Sequence, residues 1–332
     1  MPSLISAFDA ILSDLDGVVY AGPHPIDGAV DSLNTASEQG LEVAYVTNNA
    51  SRSVETVAEH LRSLGLSVDA DHVISAAQSA ASLAVGELGE GTPVAICGSS
   101  ALADCAREVG LEVVGFGDQP RAVLQGFEPT LGWQDLAEAS YLLANRDVLW
   151  IVSNTDMTIP KERGIAPGNG TLVHAVAAAT GRTPRVAGKP GSTIFSTITD
   201  RLGVSSPVVI GDRLDTDILG AQQAGLPSIA VMTGVQTGDD IVNARVAERP
   251  TYVVGTLREL FDEYDEPHVD YSGDAIVARL GDQVSATVQN DSVNVVAHDS
   301  VPEVKIVRTA AAAWWAARPE AETATSARVI RA

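Results

Sequence analysis

Two carboxylates two residues apart follow a short apolar run near the start of the chain. Residues 14–20 read Asp-Leu-Asp-Gly-Val-Val-Tyr and come directly after the strand-like residues 8–12. Two carboxylates this close repel each other unless a positive charge lies between them. Carboxylate oxygens are ligands that Mg²⁺ prefers, and a carboxylate beside that metal can attack a phosphoryl group. For Asp14 and Asp16 taken alone, an acidic turn after a strand is the simpler alternative.

Hydroxyl, amide and ammonium groups follow two further strand-like runs. The apolar residues 41–46 are followed by Thr47, Asn48 and Asn49. A hydroxyl and the backbone N–H groups of a strand-to-helix loop can bind phosphate oxygens, although these residue types also make ordinary turns and N-caps. Lys189 lies between a glycine and a proline after residues 185–187. It carries either a solvated charge or a charge that neutralises a phosphate.

An acidic loop follows a fourth run. Residues 211–217 read Gly-Asp-Arg-Leu-Asp-Thr-Asp and come directly after residues 208–210. Three aspartates in a glycine-led loop indicate a Mg²⁺ site, although one of them is expected to cap the helix that follows. Because ligand sites in open α/β sheets lie outside the carboxyl ends of the strands, the four clusters are expected to converge.

The elements that must position these clusters alternate between strand-like and helix-like runs. This order predicts an α/β fold with a doubly wound, Rossmann-like parallel sheet. Residues 1–90 and 183–265 are interpreted as the two parts of one core domain. Residues 91–182 have a β/α alternation of their own and are interpreted as an inserted α/β domain. The sequence therefore predicts a core sheet interrupted by a second domain.

Residues 266–332 are interpreted as a small C-terminal extension of unknown role. Strands are predicted at 274–280, 283–289 and 292–297, a short helix is predicted at 310–317, and the last dozen residues are expected to be frayed. The helix carries Trp314 and Trp315. The two indoles either pack onto the core domain or anchor an interface with another chain.

Composition excludes several classes of protein. The 332 residues carry a net charge of −22, which argues against a nucleic-acid-binding surface and repels anionic substrates at long range. No apolar stretch is long enough to span a bilayer, and the N-terminus lacks a cationic signal-peptide flank, so a soluble cytoplasmic protein is expected. Cys97 and Cys105 are predicted to be buried small side chains, not a disulfide or a zinc site.

Together the four clusters resemble the motifs of the haloacid dehalogenase superfamily, in its NagD-like or p-nitrophenylphosphatase-like branch. Residues 14–18 match the first motif, 47–49 the second and Lys189 the third, and Gly211-Asp212 with Asp217 matches the fourth. The resemblance covers residues 5–262, and within the branch it is strongest to the actinobacterial glycerol-3-phosphate phosphatases. The insert resembles the α/β cap of that branch, whereas the extension has no counterpart in the usual pattern.

The resemblance implies a Mg²⁺-dependent phosphomonoesterase. Asp14 would attack phosphorus and form an aspartyl-phosphate, and Asp16 would protonate the leaving oxygen and then activate water. Mg²⁺ would be held by Asp14, the backbone carbonyl of Asp16, and Asp212. Asp217 would orient metal-bound water.

The resemblance also implies contacts to a small phosphate ester. The residues expected to contact its phosphate are Thr47, Asn48, Asn49 and Lys189. Asn154 and Asp156, in the insert, are candidates for its hydroxyl groups. Less favoured alternatives are Arg163, His174 and Arg182.

The sequence gives alternatives for the substrate, the oligomeric state and the class of protein. Glycerol 3-phosphate is the expected substrate, with phosphoglycolate, pyridoxal phosphate, nucleotide and sugar phosphates as alternatives. A homodimer is expected, formed through the cap or the extension. A signalling phosphoacceptor is the alternative from another class, and the insert together with Asp-x-Asp on the first strand weighs against it.

Overall fold

The chain divides into two compact units. One unit contains Met1–Val43 and Val204–Ala332, and the other is the continuous segment Ala44–Gly203. The structure is a computed structural model, and it describes residues 2–161, 163–272 and 275–331. Each unit is an assembly of strands and helices with its own sheet, as the alternating sequence pattern predicts.

The bounds of the elements are as follows. The α-helices are α1 (Ala29–Glu38), α2 (Val54–Ser63), α3 (Ala76–Leu88), α4 (Ser100–Glu108), α5 (Trp133–Leu143), α6 (Asn169–Thr180), α7 (Thr193–Leu202), α8 (Leu219–Gln223), α9 (Gly238–Val242) and α10 (Glu303–Ala317). The strands are β1 (Ala10–Ser13), β2 (Tyr20–Ala21), β3 (His24–Pro25), β4 (Glu42–Thr47), β5 (Val73–Ser75), β6 (Pro93–Cys97), β7 (Glu112–Val114), β8 (Ala122–Gln125), β9 (Leu149–Val152), β10 (Thr158–Lys161), β11 (Gly164–Pro167), β12 (Arg185–Val186), β13 (Pro207–Gly211), β14 (Ser228–Val231), β15 (Tyr252–Val254), β16 (His268–Ser272), β17 (Ala275–Leu280), β18 (Val284–Gln289), β19 (Ser292–Ala297) and β20 (Arg328–Arg331).

The first unit contains four parallel strands in the order β15-β14-β13-β1. Strands β1, β13 and β14 are buried at every position, which explains why they read as continuous apolar runs and not as alternating ones. The pairing of β1 with β13 places Ser13 opposite Ile210. The chain therefore leaves these two strands side by side at their carboxyl ends, and the predicted α/β fold is confirmed.

The C-terminal extension forms a second sheet in the first unit, with strand order β16-β17-β18-β19-β20. The prediction that the last dozen residues are frayed is wrong, because β20 pairs in parallel with β19 and places Val329 opposite Val293. The arginines of β20 interrupt the apolar pattern that would have indicated a strand. Strands pair through backbone hydrogen bonds, which do not require apolar side chains. The predicted first strand is confirmed from Ala275, whereas Asp274 lies outside the described residues.

Helix α10 packs on this sheet and is longer than predicted. Its buried positions include Val304, Val307, Ala311 and Trp314, which share one face of a helix. They join an apolar core with residues of β14, β15 and α9, so the extension and the parallel strands bury one shared surface. The Trp315 Nε1–H donates to the Val242 carbonyl at 3.1 Å. Both indoles therefore pack within the first unit and do not form an exposed anchor.

A buried arginine also connects α10 with the parallel strands. Arg308 is 6% exposed, and its guanidinium donates to the Val253 carbonyl at 2.6 Å and to a Glu259 carboxylate oxygen at 2.7 Å. The same group lies 4.3 Å from the centre of the Tyr264 ring. Because a buried charge is costly unless it is paired, these contacts fix where the helix lies on β15.

The second unit contains a five-stranded parallel sheet in the order β12-β9-β8-β6-β7. Its two faces are covered by helices, α3 and α4 on one side and α5 and α6 on the other. Strand β12, which the sequence assigned to the second part of the core domain, extends this sheet through the pair Arg185 and Ile151. The other predicted domain limits stay predictions.

Two smaller features of the second unit bear on the sequence predictions. The hairpin β10–β11 was not predicted. Its sequence contains Pro160 and Pro167, and proline argues against a strand because it donates no backbone hydrogen bond. Throughout the described ranges, no helix combines the length and the apolar character that crossing a bilayer requires.

Candidate active site

Asp14 is the first residue after β1, at the carboxyl end of the parallel strands. Its backbone N–H donates to the Ile210 carbonyl at 2.8 Å, which continues the pairing with β13 one step beyond the strand. Its backbone carbonyl accepts from the Ser13 hydroxyl at 2.7 Å. Asp14 is 9% exposed, so the residue is held at the carboxyl end of the strand and is largely withdrawn from solvent.

Two further carboxylates come from the end of the neighbouring strand. Asp212 follows β13 directly, and Asp217 lies in a π-helical turn at Leu214–Ile218. Oxygens of Asp14, Asp212 and Asp217 all lie within 4.8 Å of one another, and we call this set the acidic site. Three carboxylates this close repel strongly, and an all-oxygen donor set suits a hard divalent cation such as Mg²⁺. The residues present therefore fit the metal that the motifs imply.

Backbone N–H groups hold two of these carboxylates in place. The Val235 N–H donates to Asp212 Oδ2 at 2.6 Å, and the Arg213 N–H donates to Asp217 Oδ2 at 3.1 Å. Hydrogen bonds of this kind favour the ionised carboxylate. Residues 233–235, in the loop after β14, were not predicted as site residues. They contain no carboxylate, unlike the loop after β13.

Glycines make the room in which the acidic site is packed. A Cβ atom on Gly17 or Gly234 would overlap the Asp212 carboxylate, and a Cβ on Gly211 would overlap Asp217. Gly17 also has φ of 87°, a conformation that favours glycine. The glycine that leads the acidic loop and the one that ends Asp-x-Asp-Gly therefore have a packing role as well as a turn role.

Asp16 is not one of the three residues of the acidic site. It is exposed and belongs to a tight turn, in which the Gly17 N–H donates to the Tyr20 carbonyl at 2.8 Å. Its side chain is not among the clustered carboxylates of the described residues. The predicted metal ligand at Asp16 is a backbone carbonyl, so that assignment stays a prediction.

Lys189, the lysine predicted to contact the phosphate, lies in the second unit. It is 3% exposed, and its Nζ donates to the Val46 carbonyl of β4 at 3.0 Å. The Lys189 N–H donates to Asn48 Oδ1 at 2.8 Å, and Asn48 Nδ2 donates to the Lys189 carbonyl at 3.0 Å. The alternative of a solvated surface charge is wrong, because both the backbone and the ammonium group of Lys189 are held in the interior.

Thr47 and Asn49 form a tight turn at the end of β4. Thr47 is 4% exposed, and its Oγ1 accepts from the Asn49 N–H at 3.1 Å. Asn49 Oδ1 accepts from the N–H and the hydroxyl of Ser51, at 2.9 and 2.7 Å. The Asn49 side chain thus stabilises the loop, and its predicted contact with a phosphate stays a prediction.

Asn154 and Asp156 are brought to Asn48. Asn154 is 4% exposed, its Nδ2 donates to the Asn48 carbonyl at 2.7 Å, and its Oδ1 accepts from the Asp156 N–H at 3.2 Å. Both carboxylate oxygens of Asp156 lie 3.3 Å from Asn48 Nδ2. The segment predicted to contact substrate hydroxyls is therefore joined to the second motif, and its contacts with a substrate stay predictions.

The less favoured alternatives have other surroundings. The Arg182 guanidinium donates to the carbonyls of Leu143, Asn145 and Val148, so it holds the segment between α5 and β9 together. His174 and Arg163 are exposed.

Asn169 is not among the predicted site residues. It is 2% exposed at the start of α6, and its Nδ2 donates to the Asn154 carbonyl at 2.7 Å. The signal was the pattern Gly168-Asn169-Gly170, because a Cβ on either glycine would overlap the backbone of residues 155–156. Two glycines around one polar residue mark a close approach of two segments.

Comparisons with known families agree with this geometry. A family model described as haloacid dehalogenase-like hydrolase matches residues 11–112, and a second, described as HAD-hydrolase-like, matches residues 186–260. The first match contains Asp14 and Thr47, and the second contains Lys189 and the acidic loop. Solved structures titled p-nitrophenyl phosphatase and putative nagD protein also resemble the chain, which confirms the predicted branch.

Individual relatives extend the similarity to the whole chain. The D-glycerol 3-phosphate phosphatase of Mycobacterium tuberculosis is 43% identical over 326 residues, which are 96% of this chain and 89% of that protein. A crystal structure of glycerol phosphate phosphatase from the same organism, in complex with magnesium, superposes with a TM-score of 0.85 at 40% identity and covers 100% of this chain and 96% of that one. These matches include the C-terminal extension.

A shorter relative matches less of the chain. The acid sugar phosphatase of Staphylococcus aureus is 34% identical over 261 residues, which are 78% of this chain and 99% of that protein. A match of that length leaves out a stretch as long as the extension. The extension is thus shared with the mycobacterial protein and is not needed for similarity to phosphatases of this kind.

Proposed function

Because this chain belongs to the haloacid dehalogenase-like hydrolases and is a phosphatase of that family, we propose that it hydrolyses glycerol 3-phosphate with Mg²⁺ bound at the acidic site. The observation that carries the proposal is the buried set of three carboxylates at the ends of two neighbouring parallel strands. The substrate is proposed from the name of the 43% identical relative, D-glycerol 3-phosphate phosphatase. A non-enzymatic phosphoacceptor does not fit a phosphatase family.

Asp14 is proposed as the nucleophile and Asp16 as the general acid and base. Asp14 attacks phosphorus, the bond to the leaving oxygen breaks, and Asp16 gives that oxygen a proton. Asp16 then takes a proton from the water that attacks the aspartyl-phosphate, which releases inorganic phosphate and restores Asp14. The burial of Asp14 in the acidic site and the exposure of Asp16 support this division, since a group that exchanges protons with water must reach it.

Asp14, Asp212 and the backbone carbonyl of Asp16 would hold the metal, and Asp217 would orient its ligands. Bound Mg²⁺ supplies positive charge that offsets the repulsion between the carboxylates and an anionic substrate. The N–H donors on Asp212 and Asp217 hold these carboxylates oriented. With a net charge of −22, the protein needs such local positive charge to bind a phosphate at all.

Thr47 and Lys189 are proposed to stabilise charge on the transferring phosphoryl oxygens. The Thr47 oxygen already accepts from the Asn49 N–H, so its hydroxyl proton is available as a donor. Lys189 has three donors on Nζ, and the contact with the Val46 carbonyl fixes where they lie. Phosphoryl transfer depends mainly on positioning and electrostatic stabilisation, which fixed donors of this kind provide.

A second candidate substrate class is the sugar phosphates. It is favoured by one observation, the 34% identity to a relative named acid sugar phosphatase. Both classes present hydroxyl groups next to a phosphate ester, so the same chemistry serves either. The ratio of kcat/KM values for glycerol 3-phosphate and for sugar phosphates decides between them.

The test is phosphate release from a panel of esters, with Mg²⁺ or with EDTA. The panel contains both enantiomers of glycerol 3-phosphate, phosphoglycolate, pyridoxal phosphate, a nucleotide, several sugar phosphates and p-nitrophenyl phosphate. We expect release that EDTA abolishes and that Asp14→Asn lowers by roughly a thousandfold or more, because the variant lacks the nucleophile. The matched control is Asp215→Asn, an exposed aspartate of the acidic loop paired with Arg213, which should stay within about twofold.

Three results would overturn parts of the proposal. Release that survives Asp14→Asn would remove the assigned mechanism. Release that EDTA does not affect would remove the metal. A sugar phosphate with the highest kcat/KM would move the substrate to the second class.

A further inference from the structure

Three asparagines of the second unit form a chain of hydrogen bonds that ends at Lys189. Asn169 Nδ2 donates to the Asn154 carbonyl at 2.7 Å, and Asn154 Nδ2 donates to the Asn48 carbonyl at 2.7 Å. Asn48 Nδ2 then donates to the Lys189 carbonyl at 3.0 Å. Each side chain thus holds the backbone of the next residue, and we call these four residues the asparagine chain.

Asn48 makes the last link specific. Its side-chain amide pairs with both the N–H and the carbonyl of Lys189, as one strand residue pairs with another. This two-point contact fixes the position and the orientation of the Lys189 backbone. The other end of the residue is held at the Val46 carbonyl, two positions before Asn48 on the same segment. The placement of the ammonium group therefore depends on where the segment 46–48 lies.

The distal links are buried, and the backbone around them is closely packed. Asn154 and Asn169 are 4% and 2% exposed, so water does not replace their hydrogen bonds. A Cβ on Gly188 would overlap the Ser153 carbonyl and crowd Asn48 Oδ1, and a Cβ on Gly170 would overlap the Thr155 carbonyl. A shift of one segment is thus transmitted to the next, because no space is available to absorb it.

We infer that Asn169 and Asn154 are positioning residues that act through Asn48 to fix the catalytic Lys189. The inference rests on the proposed function, in which Lys189 binds the phosphoryl oxygens. It assigns Asn154 a role other than the substrate contact expected from the sequence, and it adds Asn169 to the residues required for turnover. It also couples Asn154 and Asn169, which flank the β10–β11 hairpin, to the catalytic lysine.

The activity test uses isosteric changes that each replace one donating amide group with a carboxylate. In Asn169→Asp and Asn154→Asp an oxygen replaces the donating nitrogen and faces the carbonyl of the next residue, so that link is lost. We expect kcat/KM to fall by roughly tenfold to a hundredfold, the scale of a misplaced catalytic group. The control is Asn145→Asp, an exposed site whose oxygen accepts from the Asp147 N–H and keeps doing so as a carboxylate.

Two features separate positioning from a direct substrate contact. A positioning defect lowers kcat/KM equally for glycerol 3-phosphate and for p-nitrophenyl phosphate, which has no hydroxyl for Asn154 to bind. It also adds nothing in a Lys189→Ala background, since the residue being positioned is gone. A loss confined to glycerol 3-phosphate, or a further loss in the Lys189→Ala background, would overturn the inference.

A second readout does not depend on activity. The chain contains three lysines, Lys161, Lys189 and Lys305, so the reaction of each with a small amine-directed reagent is resolved by peptide mass spectrometry. Reductive methylation of the native protein should label Lys189 more slowly than Lys305, whose side chain is 26% exposed. In Asn169→Asp and Asn154→Asp the labelling ratio of Lys189 to Lys305 should rise several-fold, and in Asn145→Asp it should match the wild type.

The labelling also distinguishes failure of this inference from failure of the proposed function. An unchanged ratio in a variant that keeps the wild-type melting temperature would overturn the asparagine chain, whatever the activity. If Asn169→Asp does not fold, Asn154→Asp tests the next link by the same ratio. A raised ratio in a protein without phosphatase activity would support the positioning of Lys189 and refute its proposed catalytic role.

Discussion

The acidic site of the first unit and the asparagine chain of the second unit meet opposite electrostatic demands. The acidic site brings three negative groups within 4.8 Å of one another and stabilises them with backbone N–H donors. The asparagine chain holds one positive group, Lys189, with neutral amides and carbonyls. Like charges need a counter-ion to stay together, whereas amide hydrogen bonds are complete without one.

Because of this difference, the two regions should respond differently to a bound metal ion. Order in the acidic site depends on a bound cation, because removing that cation restores the repulsion between the carboxylates. The asparagines are joined to Lys189 by amide and carbonyl hydrogen bonds, so the order of these links is set when the second unit folds. Metal should therefore stabilise one region and leave the other unchanged.

The largest effects are expected from one substitution in each of the two regions. Lys189→Met should lower kcat/KM by about a hundredfold or more, since it removes a cation from the transferring phosphoryl group. The increase in melting temperature on adding Mg²⁺ should remain. Asp217→Asn should lower the affinity for Mg²⁺ by about ten- to a hundredfold and reduce that increase. A Mg²⁺ titration followed by differential scanning fluorimetry measures both.

The comparison fails if the two variants behave alike. A Lys189→Met protein that no longer responds to Mg²⁺ would show that the lysine region contributes to the metal site. An Asp217→Asn protein with an unchanged Mg²⁺ response would remove Asp217 from it. Asp215→Asn serves again as the matched control, because its exposed carboxylate is paired with Arg213 outside the acidic site.

A smaller effect is expected from filling the space beside Asp212. Gly234→Ala places a methyl group where the Asp212 carboxylate lies. Overpacking of this kind costs about 1–3 kcal/mol of stability, and the displaced carboxylate should also weaken Mg²⁺ binding. Urea denaturation and the Mg²⁺ titration measure the two effects.

The matched change is Gly86→Ala in α3 of the second unit. A Cβ there meets nothing within 4 Å, and alanine favours a helix over glycine by roughly 0.5–1 kcal/mol. This variant should be slightly more stable than the wild type, with unchanged activity. A Gly234→Ala protein as stable and as responsive to Mg²⁺ as Gly86→Ala would show that the acidic site has free space.

The smallest effect concerns the alkaline limit of the second unit. Burial, with a minor contribution from the Asp135 charge, raises the pKa of Cys97 to about 12 from its usual 9.0. Above pH 9 the unfolded chain loses this proton and the folded protein keeps it, so stability falls as pH rises toward 12. At pH 10 the loss is roughly 1–2 kcal/mol.

Cys97→Ala should remove this part of the pH dependence. Urea melts at pH 8 and pH 10 give the change in unfolding free energy, which should be smaller for the variant than for the wild type. Cys105→Ala should lessen the loss at pH 10 by nearly the same amount, because burial raises the pKa of Cys105 to about 11, which is also above pH 10. An equal pH dependence in the wild type and Cys97→Ala would mean that the thiol is not protected from solvent.

The acidic site could be predicted from sequence because each of its residues comes with a local signal. Asp14 and Asp212 directly follow apolar strands, and parallel strands end at one edge of the sheet. The asparagine chain could not be predicted in the same way. Asn48 and Lys189 are 141 positions apart, and Asn154 and Asn169 bond to backbone groups whose location depends on the folded chain. The identity of an asparagine in the sequence does not indicate which backbone group its side chain will bond.

The fold shows the same limit. The parallel strands and most helices were predicted because burial on two faces and helical periodicity leave continuous or repeating apolar patterns. Strand β20 and the β10–β11 hairpin were missed, because their pairing relies on the backbone and their sequences are rich in arginine or contain proline. The cytoplasmic location and the homodimer stay predictions.

The discontinuous first unit has a consequence for synthesis of the chain. Strand β1 pairs with β13, which lies about two hundred residues later, and the shared core closes only when α10 has been made. At about 5–20 residues per second, the ribosome needs roughly ten to forty seconds between the two strands. Most of that interval is spent on the continuous second unit, which is complete only at Gly203, just before β13, and throughout it the apolar β1 lacks this neighbour. The extension, which follows both strands, is what ends the exposure of the nascent first unit.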